Sequence, residues 1–99
     1  MDRPAYSKAK NDIALSSFGL APNPANQKTV LYYNFADKED NKAVELYDFL
    51  GRKLLEFAPD LKVGQTTINC SKYAEGSYLI LIKEKGVLVK QLKFIVRQK

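Results

Sequence analysis

Chemistry needs side chains that can exchange a proton, hold a metal or attack a bond, and this sequence holds few of them. It contains no histidine and one cysteine, Cys70. Without histidine the usual general base near neutral pH is missing, and so is the commonest metal ligand. A single cysteine forms no internal disulfide and falls short of any cysteine-rich zinc spacing. The remaining polar residues show no enzyme constellation. The expectation is therefore a protein that is not an enzyme and that uses neither a metal nor a cofactor.

What remains is charge and aromatic surface. Sixteen Lys and Arg against eleven Asp and Glu leave a net charge of +5. Such a balance suits nucleic acid, an anionic membrane surface or an acidic glycan, and equally a solvated surface. No RNA-binding signature, zinc spacing or basic helix accompanies it, so no nucleic-acid partner is expected. No apolar run approaches the length of a membrane span, so no membrane insertion is expected either. Lys90, Lys93, Arg97 and Lys99 crowd the C-terminal end, where they could meet an acidic receptor or defend an edge strand against aggregation. Tyr6, Tyr32, Tyr33, Tyr47 and Tyr73 could form an aromatic platform for sugar. An extracellular adhesion or glycan-binding module, or a passive spacer domain, is thus an alternative reading.

The elements that position these groups come next. Ninety-nine residues, 45% of them hydrophobic, make one domain with a modest core. Met1-Asp2-Arg3-Pro4 leads into a polar stretch without the apolar region of a signal peptide. Residues 1–15 read as a linker or cleavage region, and 16–99 as the domain, fitting the end of a longer protein. The run Gly76-Ser77-Tyr78-Leu79-Ile80-Leu81-Ile82 is too short for a helix that stands alone and reads as a central strand buried on both faces. Ser16 to Leu20 is a first short strand, broken by Pro22-Asn23-Pro24, where Asn23 can cap the turn. Thr29 to Phe35 alternates, with Leu31, Tyr33 and Phe35 on one face. Asp37 to Lys42 reads as a charged hairpin loop. Ala43 to Leu50 and Lys53 to Phe57 flank a turn at Gly51-Arg52; a helix over 42–57 is the competing reading. Gln65 to Cys70 places Ile68 and Cys70 inside. Ser71 to Glu75 is a crossing turn, and Glu84 to Gly86 a hairpin turn. Val87 to Val96 puts Leu88, Leu92, Phe94 and Val96 on one face. Seven strands at this spacing predict an all-β fold, an immunoglobulin-like antiparallel β-sandwich.

Five motifs go further. Leu20-Ala21-Pro22-Asn23-Pro24-Ala25 resembles the L-x-P-N-P-A opening of the type A C-terminal sorting domains of the Bacteroidetes type IX secretion system. Val44 to Arg52 is similar to the family's v-x-i-y-d-x-x-G-k hairpin. Ile68-Asn69-Cys70-Ser71 resembles i-d-v-S, and Tyr73 to Tyr78 resembles L-P-x-G-x-Y. Lys90 to Lys99 is similar to the lysine-rich close. The resemblance covers about residues 16–99. Ala74 departs from the usual proline, Cys70 from valine, and Ala21 from a frequent aromatic.

The resemblance implies a signal rather than a catalyst. Such a domain directs a secreted cargo through the outer-membrane translocon of the type IX system, and a sortase commonly removes it as the cargo is attached to the surface. It implies passage through the periplasm, then the outer membrane, cell surface or medium. Pro22, Asn23, Pro24, Gly51, Gly76 and Tyr78 are the motif residues it singles out. Lys90, Lys93, Arg97 and Lys99 are candidates for recognition by the translocon. Tyr78 should bury its ring and send its hydroxyl to a rim partner. The isolated domain is expected to be a monomer. Arg97-Gln98-Lys99 lies past the last inward residue and is expected to contribute little to stability.

Overall fold

The structure, a computed structural model, describes residues 17–35 and 41–98. Seven strands follow in order: β1 (Ser17–Ala21), β2 (Lys28–Asn34), β3 (Lys42–Asp48), β4 (Lys53–Phe57), β5 (Val63–Asn69), β6 (Gly76–Glu84) and β7 (Val87–Val96). They form two antiparallel sheets, β1-β2-β5 and β4-β3-β6-β7. The fold is the expected all-β sandwich, and the segment open to a helical reading, 42–57, is two strands with a turn at 49–51.

Alternation explains the core. Leu31, Tyr33 and Phe35 from the first sheet meet Val44, Leu46, Tyr78, Ile80, Ile82, Phe94 and Val96 from the second, joined by Ile68 and Cys70. The free thiol of Cys70 is fully buried, and burial pushes its pKa up. A thiol reagent should therefore label Cys70 in the native protein far more slowly than in urea; fast native labelling would contradict this packing.

Three expectations are corrected. The stretch after Phe35 does not close a hairpin, because β2 and β3 lie in different sheets; its residues 36–40 fall outside the described residues. β6 is an inner strand, but it is buried on one face alone: Tyr78, Ile80 and Ile82 are buried, while Leu79 and Leu81 are half-exposed on the outer face. An antiparallel sandwich keeps one side of each sheet toward solvent, so a continuous apolar run overstates burial. β3, flanked by β4 and β6, is the more buried strand. Finally, Leu88 leaves the face of Leu92, Phe94 and Val96. The register shifts beside Ile82, so that Ile82 pairs with Lys90 but Lys83 pairs with Leu88. One extra residue in β7 turns Leu88 outward, and it is exposed.

A glycine in β5 has a packing reason. A Cβ at Gly64 would come within 2.9 Å of the Tyr33 hydroxyl, which lies across it from the paired position on β2. Tyr33 thereby covers the strand where no side chain stands.

Candidate functional site

The Pro22-Asn23-Pro24 break carries the chain from β1 across to the outer edge of β7. Both prolines follow cis peptide bonds. The Thr29 hydroxyl, buried on β2, donates to Pro22 O at 2.8 Å and holds the start of the crossing. Asn23 does not cap its own turn, as the sequence suggested. Its side chain reaches seventy residues down the chain instead: Nδ2 donates to Lys93 O at 3.3 Å, and Oδ1 accepts from Ile95 N–H at 3.1 Å. Ala25 completes the junction as a parallel bridge to Val96. Its N–H donates to Ile95 O at 2.7 Å, and its carbonyl accepts from Arg97 N–H at 2.8 Å. The motif near the start of the domain is thus stitched backbone to backbone onto its C-terminal strand.

Gln98 continues the junction, against the expectation that the residues past Val96 contribute little to stability. Gln98 Nε2 donates to Cys70 O at 3.1 Å and to Tyr73 O at 3.0 Å, and Gln98 N–H donates to Glu75 Oε2 at 2.9 Å. One glutamine thereby ties the C-terminus to the crossing turn before β6. Periodicity could not reveal it, because Gln98 lies beyond the last strand and acts through carbonyls.

At the same end of the molecule Tyr78 sits between two rings, 5.4 Å from Tyr73 and 5.6 Å from Phe94 centroid to centroid. Its hydroxyl donates to Ala74 O four residues upstream. A tyrosine near the start of this strand, bonded back to the preceding corner, is the tyrosine corner of immunoglobulin-like sandwiches. The corner is held although alanine stands in place of proline at 74. Burial is the main cause that pushes the Tyr78 hydroxyl's pKa up.

The β3–β4 turn faces this corner. Gly51 adopts φ +85°, with open space where a Cβ would stand, so its role is conformational. Gly76 adopts φ +153° and lies under the ring of Phe49, 3.3 Å from where its Cβ would be. Asp48, which sequence reasoning did not single out, organises the turn: Oδ1 accepts from Leu50 N–H and Arg52 N–H, both at 2.9 Å, and Oδ2 accepts from Arg52 Nε at 2.8 Å. An Asp three residues before a glycine is a turn signal that could have found it. These bonds, led by the Arg52 backbone N–H, hold its pKa below the ordinary 3.8. The folded form therefore binds fewer protons than the unfolded chain in acid. Its stabilisation is complete above about pH 4 and drains as pH falls through the lowered folded value. Glu45 shifts the same way, chiefly because the Tyr47 hydroxyl donates to it at 2.7 Å. Asp48→Asn should lower Tm at pH 7 by about 5–10 °C and flatten the loss of Tm below pH 4; an unchanged acid profile would exclude Asp48 from that role.

Asp48, Phe49, Gly51, Ser77, Tyr78, Leu79 and Lys93 line an open groove of about 360 Å³. The structure thus brings Gly51, Gly76, Tyr78 and Lys93 together, with Pro22, Asn23, Pro24 and Arg97 at the adjoining edge. Lys90 stands apart, paired with Ile82 toward the other end of the sheet, and Lys99 lies outside the described residues. Among the described residues the tyrosines form no platform. Tyr33 is buried, Tyr73 stacks on Tyr78, Tyr32 and Tyr47 lie on different sheets, and Tyr6 is outside the described residues. Among the described residues no group of His, Cys, Asp and Glu could hold a metal ion.

The domain is an immunoglobulin-like sandwich whose first and last motifs meet in one junction. The chain belongs to the type IX C-terminal sorting domains: the model of the family described as a secretion system C-terminal sorting domain matches residues 20–97. A comparison with curated proteins finds no match. Members of this family are sorting signals of the type IX secretion system, which exports proteins to the outer membrane, cell surface or medium.

Proposed function

We propose that this domain directs a cargo protein from the periplasm through the type IX outer-membrane translocon, and that the sortase removes it as the cargo reaches the surface. The observation that supports this reading best is the junction of Pro22-Asn23-Pro24-Ala25 with β7 and the tail. The family's first and last motifs meet in one surface that exists only when the domain is folded. A receptor reading that surface would accept folded domains and pass over unfolded ones. Pro22, Asn23, Pro24, Gly51, Gly76 and Tyr78 shape it; Lys93 and Arg97 supply positive charge beside it, with Lys90 and Lys99 as further basic contacts that speed encounter with an acidic partner. Residues 1–15 serve as the linker, with the sortase cut there or just before them.

The test is a reporter fused ahead of residues 1–99 in a Bacteroidetes cell. Reporter at the surface or in the medium is expected from the parent strain, and in the periplasm from a strain without the translocon. Equal export by both strains would reject the proposal.

A further inference from the structure

β5 is an edge strand, paired with β2 on one side alone among the described residues. Its sequence, Val-Gly-Gln-Thr-Thr-Ile-Asn, has no charge and no proline, and its register with β2 runs without a shift. The other three edges are defended. β7 is bridged by Asn23 and Ala25 and carries an irregularity with Lys90 and Lys93. β4 has five residues, two of them charged, and a register shift against β3. β1 also has five residues, runs into Pro22 and lies beside β7. Natural sheets protect edges by such devices, and an edge without them is a template for another strand.

Hydrogen-bond parity shows which groups β5 leaves over. Cys70 N–H donates to Gln27 O and Phe35 N–H donates to Lys62 O, so even-numbered residues turn their backbone groups toward β2. Val63, Gln65, Thr67 and Asn69 turn theirs to the open side.

We propose that the occupant of this edge is a second copy of the chain, with β5 paired antiparallel to β5 about a two-fold axis at Thr66. Overlap of all seven residues puts the axis there. Gln65 then meets the partner's Thr67, Val63 the partner's Asn69, and Gly64 the partner's Ile68. The odd-numbered residues form the hydrogen-bonded pairs, as their free groups require. Thr66 faces its own copy in the non-hydrogen-bonded position, where side chains approach most closely. A two-fold sets residues near the axis against their own copies, so a charged edge would repel itself, and β5 has no charge. Thr–Thr pairs favour the ladder. The net charge of +5 would oppose association, but across β1, β2 and β5 Lys28 is the one charged residue. The product is a continuous sheet of six strands, β1-β2-β5 and its copy, in place of the monomer expected from the sequence. This inference does not depend on the sorting role.

Sedimentation velocity of the 99-residue chain from micromolar to about 1 mM tests it. Reversible dimers are expected. Thr67→Pro removes an N–H that points to the open side and leaves the β2 ladder intact, so it should keep the fold by circular dichroism and weaken the dimer at least tenfold or so. Thr67→Lys, which needs no proline in the strand, should weaken it similarly. Thr66→Cys should give a covalent dimer on mild oxidation, with Cys70 buried and out of reach. A wild-type monomer throughout the range, a dimer unchanged by Thr67→Lys, or absence of the Thr66→Cys cross-link would each overturn the proposal.

Discussion

Tyr78→Ala is expected to lower stability by about 3–5 kcal/mol, the range for emptying a buried aromatic site, whereas Tyr78→Phe should lose about 1 kcal/mol. The difference follows from what each part of the side chain does. Tyr78 is 4% exposed and its ring lies between Tyr73 and Phe94, so loss of the ring leaves a cavity where two rings meet. The hydroxyl contributes one bond to Ala74 O at the corner. Against a total of about 5–15 kcal/mol for a small domain, the alanine variant approaches unfolding at 37 °C and the phenylalanine variant does not. Urea unfolding measures both. Export of a fused cargo then separates the roles: Tyr78→Phe should export normally if the tyrosine only builds the corner. A folded Tyr78→Phe domain that fails to export would show that the hydroxyl itself is read.

Truncation after Val96 should cost about 2–4 kcal/mol, contrary to what a charged tail suggests. Surface charge alone, from Arg97 and Lys99, would contribute little. The deletion instead removes four hydrogen bonds: Arg97 N–H to Ala25 O, and three from Gln98 to Cys70 O, Tyr73 O and Glu75 Oε2, each contributing roughly 0.5–1.5 kcal/mol. Three of the acceptors, Cys70, Tyr73 and Glu75, lie in or beside the crossing turn, so Tyr73 and the corner should loosen with it. Gln98→Ala should reproduce half or more of the loss, and Arg97→Ala little of it, because Arg97 acts through its backbone. Thermal unfolding of the three variants decides the matter; equal Tm for the truncated and full chains would return the tail to solvent. The pair also frees the charge question from the fold: Arg97→Ala with Lys93→Ala should stay folded, so its export reports on the positive charges alone.

The strands were legible in the sequence because alternation with period two is a local property. Leu31, Tyr33 and Phe35, or Val44 and Leu46, declare their face without knowing what covers it, and Gly51 and Pro22-Asn23-Pro24 declare breaks because backbone freedom and restriction are properties of single residues. The family motifs were legible for the same reason, as short strings in order. Tertiary structure alone decided which strings meet. Asn23 reads locally as a turn residue, yet its amide is satisfied by Lys93 and Ile95, since the sandwich brings the edge of β7 beside the end of β1. Gln98 reads as a loose end, yet carbonyls of the crossing turn lie within its reach. The irregularity in β7 that turns Leu88 outward is invisible to periodicity, because it shows only in the register with β6. Side-chain pattern sets which face a residue prefers; hydrogen-bond partners far apart in the chain are set by packing, and this domain's shared terminus is made of such bonds.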